Sequence, residues 1–106
     1  MANSKIKNPT KSPVKIGRLS AVNDTITLPD SFTSLYVRIN LNSYYFGDIK
    51  EIGNSSVTYQ LLFGHNDWLG DFRLIKSGSV LTWTSETTVV GSKGSDWITL
   101  IDVYIS

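Results

Sequence analysis

The segment that decides the fold is residues 34–42, which read Ser-Leu-Tyr-Val-Arg-Ile-Asn-Leu-Asn. Apolar and polar side chains alternate along it, and the apolar positions are Leu35, Val37, Ile39 and Leu41. Because successive side chains of an extended chain point to opposite faces, this pattern predicts an antiparallel strand with one face in a core. The opposite face predicts an outward surface for binding or subunit contact, formed by Tyr36, Arg38 and Asn40.

Strand patterns continue on both sides of this segment, separated by turns rich in Gly, Asn and Pro. They cover residues 25–28, 44–52, 57–63, 68–76, 80–84 and 97–105, with residues 87–90 as a candidate short strand. Residues 14–19 are interpreted either as an edge strand or as a docked extended segment, since Gly17 weakens a strand interior. No stretch carries the apolar stripe of an amphipathic helix. The sequence therefore predicts an all-β protein, an antiparallel β-sandwich of seven or eight short strands with a jelly-roll-like arrangement. Trp83 and Trp97 lie within apolar patterns and are interpreted as core or interface anchors.

Composition excludes several classes of protein. The chain has 106 residues, which is the length of a single domain. It is 41% hydrophobic and 11% aromatic, and this composition is too apolar for a fully disordered chain. It has no Cys, so disulfide scaffolds, thiol nucleophiles and zinc ribbons are excluded, and its one His cannot build a His-rich metal site. Only 18% of residues are charged, against about 25% in typical soluble domains.

The net charge of +1 hides an asymmetry along the chain. Residues 1–23 hold five bases and no acid, whereas the remainder holds five bases and nine acids, a charge of 5 − 9 = −4. We predict a basic extended N-terminal arm over residues 1–20 and a β-sandwich body over residues 21–106. The arm is expected to dock onto an acidic surface of a partner, such as another protein, or onto nucleic acid, or else to be a solvated terminus. Its cations are Lys5, Lys7, Lys11, Lys15 and Arg18.

A polar loop with an adjacent aromatic residue is the second candidate site. It is formed by His65, Asn66, Asp67 and Trp68. A catalytic triad is not expected, because residues two apart rarely face each other productively and the chain has no G-x-S-x-G motif. The loop is interpreted either as a ligand contact, in which Trp stacks on a sugar, or as a cover for the core or a subunit interface.

Two further patterns bear on ligands. Tyr44 and Tyr45 are adjacent, so one of them is expected to be exposed if the chain is extended there. Asp67 and Asp71 do not follow the spacing of a calcium loop, so no metal site is predicted. We expect neither a catalytic residue nor a cofactor.

The segment from Ile26 to Asn40, Ile-Thr-Leu-Pro-Asp-Ser-Phe-Thr-Ser-Leu-Tyr-Val-Arg-Ile-Asn, resembles the opening of small β-domains in phage tail fibres and other minor virion proteins. The closing part is also similar to theirs, with Val-Leu-Thr-Trp at residues 80–83, a Gly-rich loop and a terminal strand containing Asp-Val-Tyr at residues 102–104. The resemblance covers residues 24–106. It implies a β-sandwich, attachment to a virion, frequent trimers and, in some members, binding to glycans or host surfaces. It implies no catalytic residues.

The function expected from these observations is that of a non-enzymatic structural protein of a phage virion. Because the chain begins with its own Met1, a capsid decoration protein, a head fibre or a small tail adaptor is expected rather than the tip of a long fibre. It would contact other capsid or tail proteins and form a homo-oligomer, with a trimer favoured by the resemblance. No signal peptide or membrane-spanning run is found, so virion localisation with release by lysis is expected.

Two alternatives from other classes stay open. The first is a carbohydrate- or host-receptor-binding module that uses Trp68 with Tyr44 or Tyr45. The second is a barrel that binds single-stranded nucleic acid through stacked aromatic residues. The charge of −4 on residues 24–106 opposes the second, because a groove that follows a phosphate backbone requires positive potential.

Overall fold

The computed structural model describes residues 12–41, 45–65, 68–91 and 98–106. Tyr45, His65, Trp68, Thr88 and Val90 are described by their backbone alone. The described strands are β1 (Val14–Leu19), β2 (Thr25–Thr27), β3 (Leu35–Leu41), β4 (Tyr45–Phe46), β5 (Lys50–Gly53), β6 (Thr58–His65), β7 (Trp68–Ser77), β8 (Val80–Val90) and β9 (Ile98–Ile105).

The strands form two antiparallel sheets that pack as a sandwich. Sheet A has the order β1-β9-β3, with β4 and β5 both paired to the free side of β3, and sheet B has the order β2-β8-β7-β6. Between β4 and β5 the Gly47 amide still donates to the Ile39 carbonyl at 2.9 Å. β4 and β5 are therefore one strand interrupted over residues 47–49, and each sheet is four strands wide. The predicted all-β sandwich of seven or eight strands is confirmed.

The connections combine crossovers with hairpins. The chain changes sheet from β1 to β2, from β2 to β3, from β5 to β6 and from β8 to β9. The first and last strands, β1 and β9, are neighbours in sheet A, as expected of a jelly-roll-like arrangement. β6, β7 and β8, by contrast, form a simple meander of two hairpins.

The core lies between the sheets and uses the predicted faces. Leu35, Val37, Ile39 and Leu41 of β3 are all buried. They meet side chains of sheet B that include Tyr59, Phe72, Leu74, Leu81 and Trp83. Trp83 is fully buried and its Nε1 donates to the Ser85 carbonyl at 3.1 Å, so its interpretation as a core anchor is confirmed. Trp97 lies outside the described residues.

Two predicted strands, 80–84 and 87–90, are a single strand, β8. The pairing of β8 with β7 shifts where Arg73 faces Ser85 and Leu74 faces Trp83. Thr84 is the extra residue of this bulge, and its Oγ1 donates to the Arg73 carbonyl at 3.2 Å. A bulge keeps the strand continuous while it interrupts the alternation, which is why the sequence pattern there resembles a break.

β1 belongs to the body of the sandwich. It pairs along the edge of β9, and Leu19 at its end is fully buried. The boundary that the charge pattern places after residue 20 therefore falls inside the folded body. Gly17 sits within β1 because a Cβ there would lie 3.0 Å from Cγ2 of Ile26 in β2. The close approach of these two strands joins the sheets along this side.

The sandwich has two distinct ends. The arm end is where Val14 pairs with Ile105, next to the C-terminal Ser106. The loop end is where β3 gives way to β4 and β6 to β7, at the pairs Leu41–Tyr45 and His65–Trp68.

Candidate functional site

The outer face of sheet A carries a buried carboxylate between cations. The side chain of Asp102, on the central strand β9, is only 3% exposed. From β1, Arg18 donates from Nε to Asp102 Oδ1 at 2.8 Å, and Lys15 approaches the same oxygen with Nζ at 3.1 Å. These three residues are called the Asp102 cluster below. They fasten the edge strand β1 to the centre of the sheet through side chains as well as through the backbone.

The electrostatics of the cluster favour the ion pairs. Burial opposes ionisation of Asp102, but hydrogen bonds from Arg18 and Lys15 and the attraction of their charges outweigh it, so the pKa of this carboxyl lies below its usual value. The hydrogen bond that Arg18 donates to Asp102 raises the pKa of the guanidinium in turn, which keeps it charged. The carboxylate is therefore ionised at neutral pH and holds β1 in place.

A third cation lies beside this cluster. Arg38 of β3 is the ladder partner of Asp102, and its Cζ lies 4.4 Å from the centroid of the Phe46 ring. This is the distance of a cation–π contact. The Arg38 Nε is buried and has no hydrogen-bond partner among the described residues. The cation is thus held against the aromatic ring rather than extended into solvent.

The outward face predicted for β3 is only partly exposed. Tyr36 is half-buried, with its hydroxyl 3.1 Å from Ser106 Oγ, and Arg38 is half-buried against Phe46. Asn40 is 1% exposed, so its assignment to an exposed surface needs correction. It lies in the ladder between Leu100 of β9 and Phe46 of β4, and these larger neighbours cover a short amide side chain. Alternation predicts the face correctly but not what covers it.

The predicted docking arm divides into two parts. Lys5, Lys7 and Lys11 lie outside the described residues. Lys15 and Arg18 lie on β1 and contact Asp102 of the same chain, with side chains 43% and 47% exposed. Of the five cations, two are therefore engaged by the body itself. Asp102 was missed by the sequence analysis, although one carboxylate within the apolar run Ile-Thr-Leu-Ile-Asp-Val-Tyr-Ile signals a buried ion pair.

The predicted ligand residues derive from connections at one end of the sandwich. Tyr44, Asn66 and Asp67 lie outside the described residues. Tyr45 begins β4, His65 ends β6 and Trp68 begins β7, and all three backbone positions lie at the loop end. The sequence analysis combines Trp68 with Tyr44 or Tyr45 in one binding hypothesis, and the topology assigns the backbone of Tyr45 and of Trp68 to the same end.

A groove along one side of the sandwich was not foreseen from the sequence. It has a volume of about 460 Å³ and lies between the free edges of β5 and β6. Its lining is mainly apolar, with Asp48 and Lys50 at its side. The lining residues include Val37, Ile39, Ile49, Leu61, Phe63 and Phe72. Because it joins residues of four strands that are distant in sequence, no local pattern reveals it.

Within the described ranges, no three His, Asp or Glu side chains come together as a group that could hold a metal ion. Asp71, which the sequence pairs with Asp67, is buried and accepts a hydrogen bond from Gln60 Nε2 at 2.6 Å. No helix in the described part of the chain is long and apolar enough to span a membrane.

Comparison of the chain with models of known protein families, with curated proteins and with solved structures gives no match.

Proposed function

We propose that this protein is a non-enzymatic structural component of a phage virion, which docks to another virion protein through its basic N-terminal segment and associates with copies of itself. The resemblance over residues 24–106 motivates the virion role and favours a trimer. A capsid decoration protein, a head fibre and a tail appendage all fit this description. The β-sandwich supplies a rigid body, and the segment before it supplies the attachment.

The observation that carries the proposal is the layout of the two ends. Residues 1–11 are joined to the body at the arm end, where the Asp102 cluster holds β1 against β9. The candidate ligand residues Tyr45, His65 and Trp68 lie at the opposite, loop end. A protein attached by one end presents the other end to solvent, which is the arrangement that a virion surface protein requires.

Residues 1–11 hold three of the five basic residues of the N-terminal part of the sequence. They are Lys5, Lys7 and Lys11, and with no acid the side chains of this segment contribute +3. The body engages Lys15 and Arg18, so docking to an acidic surface is assigned to this +3 segment.

The test uses particles purified from a phage in which the gene is deleted. We expect the full-length protein to co-sediment with these particles and a chain lacking residues 1–11 to remain in the supernatant. Removal should stop at residue 11, because a deletion through residue 20 also removes β1 and the buried Leu19.

A matched charge variant separates electrostatic docking from loss of chain length. Replacing Lys5, Lys7 and Lys11 by Gln keeps all residues, and we expect it to abolish co-sedimentation as the truncation does. Full occupancy by either variant would refute docking through this segment. Absence of the full-length protein from both wild-type and reconstituted particles would refute the virion role.

A second candidate function is binding of a glycan or host receptor at the loop end. It is favoured by the location of Tyr45, His65 and Trp68 at the same end of the sandwich. Loops presented by a rigid scaffold commonly carry binding residues, and an aromatic ring can stack on a sugar. A glycan array probed with the full-length protein tests this function. Binding that survives Trp68→Ala would exclude Trp68 as the contact residue. If the wild-type protein binds no glycan, the structural role is the only proposed function that is left.

A further inference from the structure

The edge strand β6 lacks the features by which proteins protect a free strand edge. It spans eight residues, Thr58–His65, and pairs with β7 along its whole length without a shift of register. Its sequence, Thr-Tyr-Gln-Leu-Leu-Phe-Gly-His, contains no Lys, Arg, Asp, Glu or Pro. Native edges are usually short, bulged, charged or interrupted by Pro, because an open row of backbone groups pairs with another strand.

The opposite side of the sandwich is protected in these ways. There, β1 carries Lys15 and Arg18, and its pairing with β9 has a register shift. β2 is only three residues long. Gly17 lets β1 approach Ile26 of β2, so the two sheets meet there. The contrast identifies the β6 side as the side built for contact.

Apolar side chains surround the β6 edge. Leu62 of β6 is 59% exposed, and Val57, immediately before β6, is also largely exposed. Phe46 and Ile49 are exposed on the facing edge of sheet A. Between the two edges lies the groove of about 460 Å³, and the half-buried side chains of Leu61 and Phe63 line it. We call Phe46, Ile49, Val57, Leu62 and the groove between them the β6 surface.

We propose that the β6 surface is the site at which a second copy of this chain binds, with β6 contributing its free edge to the pairing. This inference rests on the self-association included in the proposed function and specifies the surface that performs it. A contact between two copies of the same surface forms a two-fold dimer, rather than the trimer that the resemblance favours. Asp48 and Lys50 are the charges beside the groove, one of each sign. A surface that is uncharged along its strand and neutral at its side meets its own copy without repulsion and does not select a strongly charged partner.

The available area agrees with such a contact. Eight residues at about 3.4 Å each give an edge about 27 Å long, and two sheets about 10 Å apart with their side chains give a side about 20 Å deep. The footprint is therefore roughly 500 Å² per copy and roughly 1,000 Å² in total, which is about the minimum expected of a specific interface. A contact of this size is expected to form reversibly.

The experiment measures molar mass by light scattering over a concentration series of the full-length protein. We expect an oligomer of the 11.8 kDa chain for the wild type and a monomer for Leu62→Lys, because a Lys on an edge strand blocks pairing. The matched control is Val89→Lys, which alters a side chain of similar exposure, 51%, on β8 of the same sheet, two strands away from β6. The control is expected to keep the wild-type mass.

Hydrogen exchange on the wild-type protein tests the same surface without a substitution. Amides of Thr58–His65 should exchange more slowly as concentration rises, while exposed amides of β1 should not change. A wild-type monomer at all concentrations would overturn the inference and the proposed self-association, but not particle docking. An oligomer that Leu62→Lys leaves intact, without concentration-dependent protection of β6, would overturn only the choice of surface.

Discussion

Asp102 is the residue whose environment makes the most definite prediction about stability. Its carboxylate is buried and accepts hydrogen bonds from Arg18 and Lys15. Asp102→Asn removes the charge but leaves two cations oriented towards the site, and hydrogen bonds to charged groups contribute about 1.5–3 kcal/mol each. Because both cations are half-exposed, we expect the free energy of unfolding to fall by an amount at the lower end of this range. Urea unfolding at pH 7 measures it.

The same residue predicts a pH dependence with a defined sign. The pKa of Asp102 is lower in the folded chain than its ordinary value of about 4. The stabilising effect of the ionised carboxylate is therefore complete above that pH. This stabilising effect is lost as the pH falls through the lowered pKa of Asp102. The difference in unfolding free energy between the wild type and Asp102→Asn should therefore shrink below a pH of about 4. Asp30→Asn, at an exposed position, is the control and should match the wild type throughout. A constant difference down to low pH would contradict this role of the ion pairs.

At the level of strands, the deletion boundary is testable by stability alone. Removal of residues 1–11 should leave the unfolding midpoint unchanged, because β1 and its contacts remain. Removal of residues 1–20 takes away β1 with the fully buried Leu19, and the loss of that side chain alone is expected to cost about 2–5 kcal/mol. Circular dichroism monitors the unfolding of both truncated chains. Equal unfolding midpoints would show that the body does not need β1.

The close approach of β1 and β2 makes a second prediction for strands. Gly17→Val places side-chain atoms against Ile26, where even a Cβ lies 3.0 Å from Cγ2, and overpacking of this kind costs about 1–3 kcal/mol. In an Ile26→Ala background the added side chain has room, so the same substitution should cost less. A double-mutant cycle in urea measures this coupling. Equal costs in both backgrounds would mean that the contact does not limit residue 17.

The strands themselves were predictable because they depend on local alternation. The β3 face of Leu35, Val37, Ile39 and Leu41 is buried as its pattern predicts. The bulge at Thr84 was not predictable, because it depends on the partner strand β7. For the same reason the burial of Asn40 and the ion pairs of Asp102 depend on residues that are distant in sequence. The alternation of apolar and polar residues, together with the turn residues, predicts the strands. The pairing between strands decides which of their faces stay exposed.

For the whole molecule, the charge asymmetry along the sequence is redistributed by the fold. Lys15 and Arg18, which the sequence assigns to a free arm, are used within the body. The remaining basic segment is joined to the arm end, the candidate ligand positions belong to the loop end, and the β6 surface lies along one side. The three proposed interactions, docking, ligand contact and self-association, are thus assigned to separate locations and would not compete for one surface.

Salt should therefore separate two of these interactions. Docking through Lys5, Lys7 and Lys11 depends on charge, so co-sedimentation with particles should fall as salt rises from about 0.1 M to about 1 M and the Debye length shortens from about 10 Å to about 3 Å. Self-association through β6, which has no charged residue, should persist over the same range because apolar contact is not screened. Light scattering and sedimentation on the same samples measure both. An oligomer that dissociates with rising salt would assign self-association to a charged surface such as the Asp102 cluster instead of β6.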